Sequence, residues 1–161
     1  MKRLAASGFT LTELLIVVAI IAVLAAIATP NFLEAQMRSK VSRAQADMRT
    51  LQTALEAYAV DWNSYPLNAG GIGLSGALLN LTKPRAYIGE LPRDIFQQSA
   101  TYFYLAGGHV APSQLYGGYA LASAGPNLKI ETTLAGTIVY DPTNGSASDG
   151  DILATQSGLP K

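Results

Sequence analysis

Phe9-Thr10-Leu11-Thr12-Glu13-Leu14-Leu15-Ile16-Val17-Val18-Ala19-Ile20-Ile21-Ala22-Val23-Leu24-Ala25-Ala26-Ile27-Ala28 is an apolar run carrying a single carboxylate. At about 1.5 Å of rise per residue, roughly 20 residues match a hydrocarbon core about 30 Å thick, so the run can cross a bilayer as one helix. Lys2 and Arg3 precede it. By the positive-inside rule they stay cytoplasmic and leave the C-terminal bulk outside, an N-in, C-out arrangement. Glu13 is the anomaly, because one charged side chain at mid-bilayer costs about 2.5–3.5 kcal/mol on insertion scales. Some interaction must offset that cost.

Three readings compete for this stretch. As a secretory signal peptide it has a basic start, an apolar segment from Leu14 to Leu24 and a small-residue cut at Ala26-Ile27-Ala28, releasing a soluble secreted protein. Glu13 beside the apolar segment and Pro30 just past the cut oppose this. A plain membrane anchor leaves Glu13 at the interface, and explains neither the glutamate nor the Gly8-Phe9 junction. The third reading starts from Met1-Lys2-Arg3-Leu4-Ala5-Ala6-Ser7-Gly8 followed by Phe9-Thr10-Leu11-Thr12-Glu13-Leu14-Leu15-Ile16-Val17. This resembles the prepilin-type signal of type IVa pilins and type II secretion pseudopilins.

The resemblance implies that a prepilin peptidase cuts between Gly8 and Phe9 and that the new N-terminal phenylalanine is methylated. The amine so created on one chain can pair with Glu13 of a neighbour as their apolar helices meet. Removing either partner would strand a buried charge, so the pair favours one axial register between subunits. Within a single chain, Glu13 can instead bond its own N-terminus four residues away on the same helix face. The two arrangements are compatible.

Beyond the apolar run, Met37, Val41, Ala44, Met48, Leu51, Leu55, Tyr58 and Trp62 recur at spacings of four and three, one stripe on a helical face. Arg38, Lys40, Arg43, Asp47, Arg49 and Glu56 fall off it. The pattern predicts one helix from about Phe9 to Asp61, some 80 Å long at the standard rise. Its stripe could form a coiled-coil seam or cover the chain's own sheet. Pro30 cannot donate to the carbonyl of Ala26 and crowds that turn, so a kink or local melting is expected there. In the pilin family a proline at this place marks where the helix loses order inside filaments, and the resemblance implies the same for residues 26–30. Ala22, Ala25, Ala26 and Ala28 let helices approach closely in lipid.

Composition bounds the rest. The chain has 161 residues, 11 basic against 11 acidic, and no cysteine. A long helix plus roughly 100 further residues suffices for one small domain. With no basic block beyond residues 2–3, the electrostatic footprint of a nucleic-acid binder is missing and direct nucleic-acid binding is not expected. Absence of cysteine excludes disulfides, lipoprotein acylation and thiolate metal sites. Many type IVa pilins close a C-terminal loop with a disulfide, so by resemblance this chain leans toward the pseudopilins. His109, the single histidine, has no sequence-local partner for catalysis, and no enzyme activity is expected.

Asp61-Trp62-Asn63-Ser64-Tyr65-Pro66 ends the helix, and a Gly-rich loop follows. The stretch from Leu55-Glu56-Ala57-Tyr58 to Tyr65-Pro66 resembles the corresponding junction of type II major pseudopilins. A short helix near Ala77 to Leu81 comes next, then Leu91-Pro92-Arg93-Asp94, similar to a family motif that degrades at Ile95-Phe96. Thr101–Leu105, Tyr119–Ser123 and Thr137–Tyr140 read as strands. The expected architecture is α+β, the pilin fold. Residues 1–8 would be the leader, 9–29 the transmembrane and filament-core helix, 30–61 its amphipathic continuation and 62–161 the globular domain.

Asp141, Asn144, Ser146, Ser148, Asp149 and Asp151 crowd oxygen donors into one segment, which suits a hard cation such as Ca²⁺. Together with Ser123 of Ser123-Ala124-Gly125, they resemble the calcium loop of type II major pseudopilins, although Pro126-Asn127 stands where the family has an acid. The turn dipeptides Asn144-Gly145 and Asp149-Gly150 also account for this composition without any ligand.

The resemblance implies a precursor in the bacterial inner membrane, extracted into a homopolymeric filament that includes minor pilins or pseudopilins. A membrane platform protein and its ATPase would drive the extraction. Two uses remain open: a periplasmic pseudopilus for type II protein secretion, and a cell-surface type IV pilus for adhesion, motility or DNA uptake. Phe9, Glu13 and Pro30 are the expected assembly residues.

Overall fold

The computed structural model describes residues 8–67, 75–97, 100–106, 118–131, 138–145 and 148–157. The chain divides into two compact units, Met1–Gln36 and Met37–Lys161. One helix, α1 (Leu11–Trp62), supplies most of the first and a wall of the second. Its ends lie within two residues of the predicted ones.

Local chemistry explains where α1 stops. Asn63 takes a left-handed conformation at φ 52°, the geometry that ends helices and that asparagine tolerates better than most side chains. Ser64, Tyr65 and Pro66 then lead the chain away. Arg85 and Tyr87 both donate to the Asp61 carboxylate, at 2.6 and 2.8 Å, and the Trp62 indole donates to the Tyr87 hydroxyl at 3.1 Å. Trp62 closes the predicted stripe but is 55% exposed, stacked on Tyr58 rather than buried. Within the second unit Val41, Ala44, Met48, Leu51 and Leu55 of the stripe are buried, joined by Ala54 outside it, while Met37 and Tyr58 are half-buried.

A 3₁₀ helix (Ser75–Leu81) adds Ala77, Leu78 and Leu81 to the core. Three antiparallel strands follow, β1 (Phe103–Ala106), β2 (Tyr119–Ser123) and β3 (Ile152–Thr155), in the order β1-β2-β3. Leu105 pairs with Ala120, and Leu121 with Ala154. One sheet face carries Tyr104, Tyr119, Leu121 and Ile152 into the core with the α1 stripe, while Leu105 and Ala120 pack on the other face with Phe103. This is the expected α+β arrangement. The third strand, however, is Ile152–Thr155. Of the predicted strand at 137–140, Val139 makes only an isolated bridge with Asp151, and Thr137 lies outside the described residues. The correct segment follows Gly150 and Asp151 and alternates poorly, because strand positions covered on both faces need no polar side.

Buried tyrosines need partners for their hydroxyls, and the carboxylates that the stripe leaves at its margin provide them. Tyr102 donates to Asp47 at 3.0 Å, Tyr119 to Glu56 at 3.3 Å, and Tyr65 to both Glu56 oxygens at 3.0 and 3.1 Å. Tyr104 donates to the Pro66 carbonyl at 3.0 Å, fastening the segment that leaves α1. Gly118 is glycine for a steric reason, since a Cβ there would run into the Tyr65 ring.

Burial, reinforced by neighbouring carboxylates, pushes the Tyr65 hydroxyl up to about 12 and raises Tyr102 and Tyr119 as well, while burial among the other tyrosines raises Tyr104. With folded values raised, the stability these groups confer is complete below the unfolded tyrosine pKa of about 10. It is lost as pH climbs through the folded values, because the unfolded chain releases its protons first. Thermal unfolding followed by circular dichroism should therefore give a midpoint level from pH 7 to about 9.5 that falls steeply above pH 10. Tyr104→Phe should flatten the alkaline fall.

Candidate functional site

The helix start is built from four residues. Thr10 precedes α1 and acts as its N-cap: its carbonyl accepts the Leu14 N–H at 3.3 Å and its hydroxyl accepts the Glu13 N–H at 3.2 Å. The Glu13 carboxylate reaches back, accepting the Thr10 N–H at 2.9 Å and the Thr10 hydroxyl at 2.8 Å through Oε2. This is a capping box, in which two side chains reciprocally satisfy N–H groups that a helix start leaves without partners. The pattern Thr-x-x-Glu announces it in the sequence, yet a reading focused on the lone acid passes over it. Glu13 thus has an intrachain partner three residues back, in a chain where residue 9 is still an amide. Gly8 and Phe9 lie outside the helix; Phe9 is exposed, and nothing approaches Gly8.

Beyond the cap, α1 is apolar on every side as far as Ala28. Its large aliphatic and aromatic residues from Leu11 to Leu33 are 46–87% exposed, the profile of a helix whose solvent is lipid or other helices. Among the described residues α1 alone is long and apolar enough to cross a membrane. Pro30, where the sequence leads to the expectation of a kink or local melting, sits inside it, and the helix runs on through the proline. On either side of it Thr29 donates to the Ala25 carbonyl and Asn31 to the Ile27 carbonyl.

The oxygen-rich C-terminal segment is distributed rather than convergent. Ser123, at the end of β2, is buried and donates to Asp94 Oδ1 at 2.7 Å. Asp141 accepts the Thr143 hydroxyl and N–H at 2.7 and 2.8 Å, which hold its carboxyl below the ordinary value, and its own N–H donates to Ser148 Oγ at 2.8 Å. Asn144 closes a turn onto the Asp141 carbonyl, and Asp149 is exposed. Ser146 lies outside the described residues. Asp151 points inward, fully buried, and accepts the Glu131 N–H at 3.0 Å. Among the described residues no cluster of three or more His, Cys, Asp or Glu side chains is placed to hold a metal.

What the fold does bring together is Asp151, Glu131 and Asn127. The Asn127 amide donates to Glu131 Oε1 at 2.9 Å, while Glu131 Oε2 is buried without a hydrogen-bond partner. Gly125 and Gly150, both at positive φ, let the two segments cross so closely that a Cβ on Gly125 would meet the Gly150 carbonyl oxygen. Asn127 therefore stands where the resemblance expects an acid, and Glu131 contributes the acid from four residues on. No local signal marks Glu131, whose link to Asp151 spans 20 residues.

Asp94 is the other residue the sequence leaves without a role. Buried beside the sheet end, it accepts Ser123 Oγ, the Phe96 N–H at 2.9 Å and the Ala124 N–H at 3.4 Å.

Comparison with known proteins decides the family. The family model described as type II secretion system (T2SS), protein G matches residues 31–133, and the prokaryotic N-terminal methylation motif matches residues 3–29. The chain belongs to the type II secretion system protein G family. It is 33% identical to the type II secretion system core protein G of Pseudomonas aeruginosa over 122 residues, 72% of this chain and 84% of that one. With core protein G of Escherichia coli the identity is 31% over 132 residues, 78% and 85% of the two chains. The type IV major pilin protein PilA of Myxococcus xanthus is 48% identical over 68 residues, 42% of this chain but only 31% of that pilin. No solved structure matches the chain. The protein G match stops at residue 133, short of β3 and of Asp151, so the partner of Glu131 comes from outside the matched region.

In this pseudopilin, Asp94→Asn should lower stability by about 1–3 kcal/mol, because the new amide presents donors to groups that themselves donate. Urea unfolding of the chain in detergent should show an earlier midpoint with an unchanged slope.

Proposed function

We propose that the chain is a structural subunit of a type II secretion pseudopilus, held in the inner membrane N-in and C-out before assembly. Support comes from the protein G match over residues 31–133 together with a helix that is apolar all round and begins at a capped, exposed Gly8-Phe9 junction. A prepilin peptidase cuts between Gly8 and Phe9 in this reading. Minor pseudopilins, a membrane platform and its ATPase complete the assembly. The role is structural rather than catalytic.

After cleavage, the Phe9 amine adds a positive charge one residue before the capping box. In the capped state Glu13 is an acceptor already satisfied by Thr10. A neighbouring chain's amine offers a full positive charge instead, so the carboxylate exchanges neutral donors for an opposite charge, an attraction that grows as the dielectric falls. Assembly thus exchanges a local cap for an ion pair between subunits. Pro30 marks the place where α1 yields inside the filament.

Glu13→Ala should be processed normally yet assemble poorly; wild-type filament yield from that variant would contradict the pairing. Mass spectrometry of the mature N-terminus should find methylated Phe9, whereas a chain starting at Thr29 would make this a soluble secreted protein. Type IV pilus use is the second reading, favoured by the 48% identity to a pilin over 68 residues. Deletion should abolish secretion of folded exoproteins without removing surface fibres; the reverse outcome assigns it to a pilus.

Ca²⁺ fits the neighbourhood of Asp151 and Glu131 better than the 141–149 segment. A buried carboxylate oxygen without a donor, Glu131 Oε2, is costly unless paired, and a cation supplies the pairing. Asp151, Glu131 and Asn127 would hold it, with its charge relieving two neighbouring acids. Millimolar calcium should raise the thermal midpoint of the detergent-solubilised mature chain, and Glu131→Gln should remove the rise. An identical midpoint with calcium and with chelator sets the ion aside.

A further inference from the structure

Where α1 meets the turns at 95–97 and 126–128, the second unit carries a groove of about 600 Å³ walled by Met37, Ile95, Phe96, Pro126 and Leu128, with the exposed Lys40 at its border. Leu128 is the unusual member. It is 59% exposed and its backbone is left-handed, at φ 61°, a conformation in which a side chain crowds the following carbonyl. The turn holds it there: the Leu128 N–H donates to the Gly125 carbonyl at 3.2 Å and the Lys129 N–H to Asn127 Oδ1 at 3.1 Å. Strain is thus retained to present an apolar side chain outward, which does nothing for an isolated subunit.

A second copy supplies a matching segment. Copies inserted N-in and C-out are parallel, and pairing of the Phe9 amine of one with Glu13 of the other requires a displacement of four residues along α1. The same displacement sets Leu33 of the advanced copy level with Met37 of the other, whatever α1 does at Pro30, because both copies do it alike. Leu33 is 56% exposed in its own chain. Glu34, the only acid between Glu13 and Asp47, follows about 100° round the helix, and Lys40 of the other copy starts about 3 Å above its level. Helical side chains lean toward the N-terminus, which brings the ammonium down to that carboxylate. Apolar contact and opposite charge arrive together.

We propose that this groove seats Leu33 of a second copy, with Glu34 of that copy paired to Lys40. One axial step then serves both the N-terminal ion pair and a contact on the folded domain. The proposal rests on the filament-subunit reading above.

The cysteine-free chain permits a direct test. A Leu33→Cys chain co-expressed with a Leu128→Cys chain should give a disulfide dimer in oxidised, sheared filaments, since a bridge forms only between Cα atoms within about 7 Å. The same Leu33→Cys chain with Arg49→Cys, on the opposite side of α1 from Lys40, should give none. Lys40→Glu should lower filament yield about fivefold, as reversal of one partly screened charge pair does, and adding Glu34→Lys should restore it. Filaments in which Leu33→Cys and Leu128→Cys do not cross-link, or in which the charge swap restores nothing, overturn the groove contact. In unassembled Glu13→Ala chains, Leu128→Cys should react freely with a membrane-impermeant maleimide; protection there assigns the groove to lipid and overturns the contact too. Wild-type chains that form no filament at all remove the subunit reading instead, as a separate result.

Discussion

Backbone hydrogen bonding in the absence of water is the constraint on which this protein turns. A helix closes its own interior bonds, which is why one can lie in hydrocarbon, but it leaves donors open at its start and a carbonyl open wherever a proline intervenes. In α1 polar side chains gather at both places. Thr10 and Glu13 close the start, and Thr29 and Asn31 bracket the proline. Polar residues that look misplaced in an apolar run are thus spent on the backbone itself. Their exposed neighbours from Leu11 to Leu33 are free to face lipid or other helices.

The second unit meets the same constraint with different materials. Its core is lined by tyrosines, which add apolar area but carry hydroxyls that must find acceptors. Asp47 and Glu56 on α1 and the Pro66 carbonyl provide them. Carboxylates on the margin of the apolar stripe therefore belong to the core's chemistry. Asp94 performs a related task at the sheet end, where one buried acid gathers the Ser123 hydroxyl and two backbone N–H groups. Glu131, beside Asp151, is the case in which a buried carboxylate oxygen goes without a donor. That imbalance draws attention to a cation more strongly than the oxygen-rich composition of residues 141–149, whose Asp141 and Ser148 are engaged in closing their own turn.

Family membership and local physics reinforce each other unevenly along the chain. The N-terminal methylation motif and the protein G match meet within α1, at residues 3–29 and 31–133, the element whose composition lipid and self-association dictate most tightly. The family match ends at residue 133, and β3 and Asp151 lie beyond it. The crossing of Gly125 and Gly150 is what brings these two stretches into contact.

The sequence alone determined the elements whose cause is local. Twenty-odd apolar residues, a 3.6-residue stripe from Val41 to Leu55, an asparagine suited to a left-handed stop and the Thr10-to-Glu13 spacing all act over a turn or two of helix, and so can be read from neighbours in the chain. The Gly8-Phe9 junction and the family it resembles were legible for the same reason. Only the tertiary structure decided that Ile152–Thr155 rather than 137–140 completes the sheet, that Trp62 stays exposed, that Ser123 serves Asp94, and that Glu131 meets Asp151. Each of those outcomes depends on which distant donor, acceptor or apolar face arrives opposite. Nothing in the order of the chain encodes that partner, because pairing across a sheet or a buried acid cluster is settled by packing over separations of 20 residues or more.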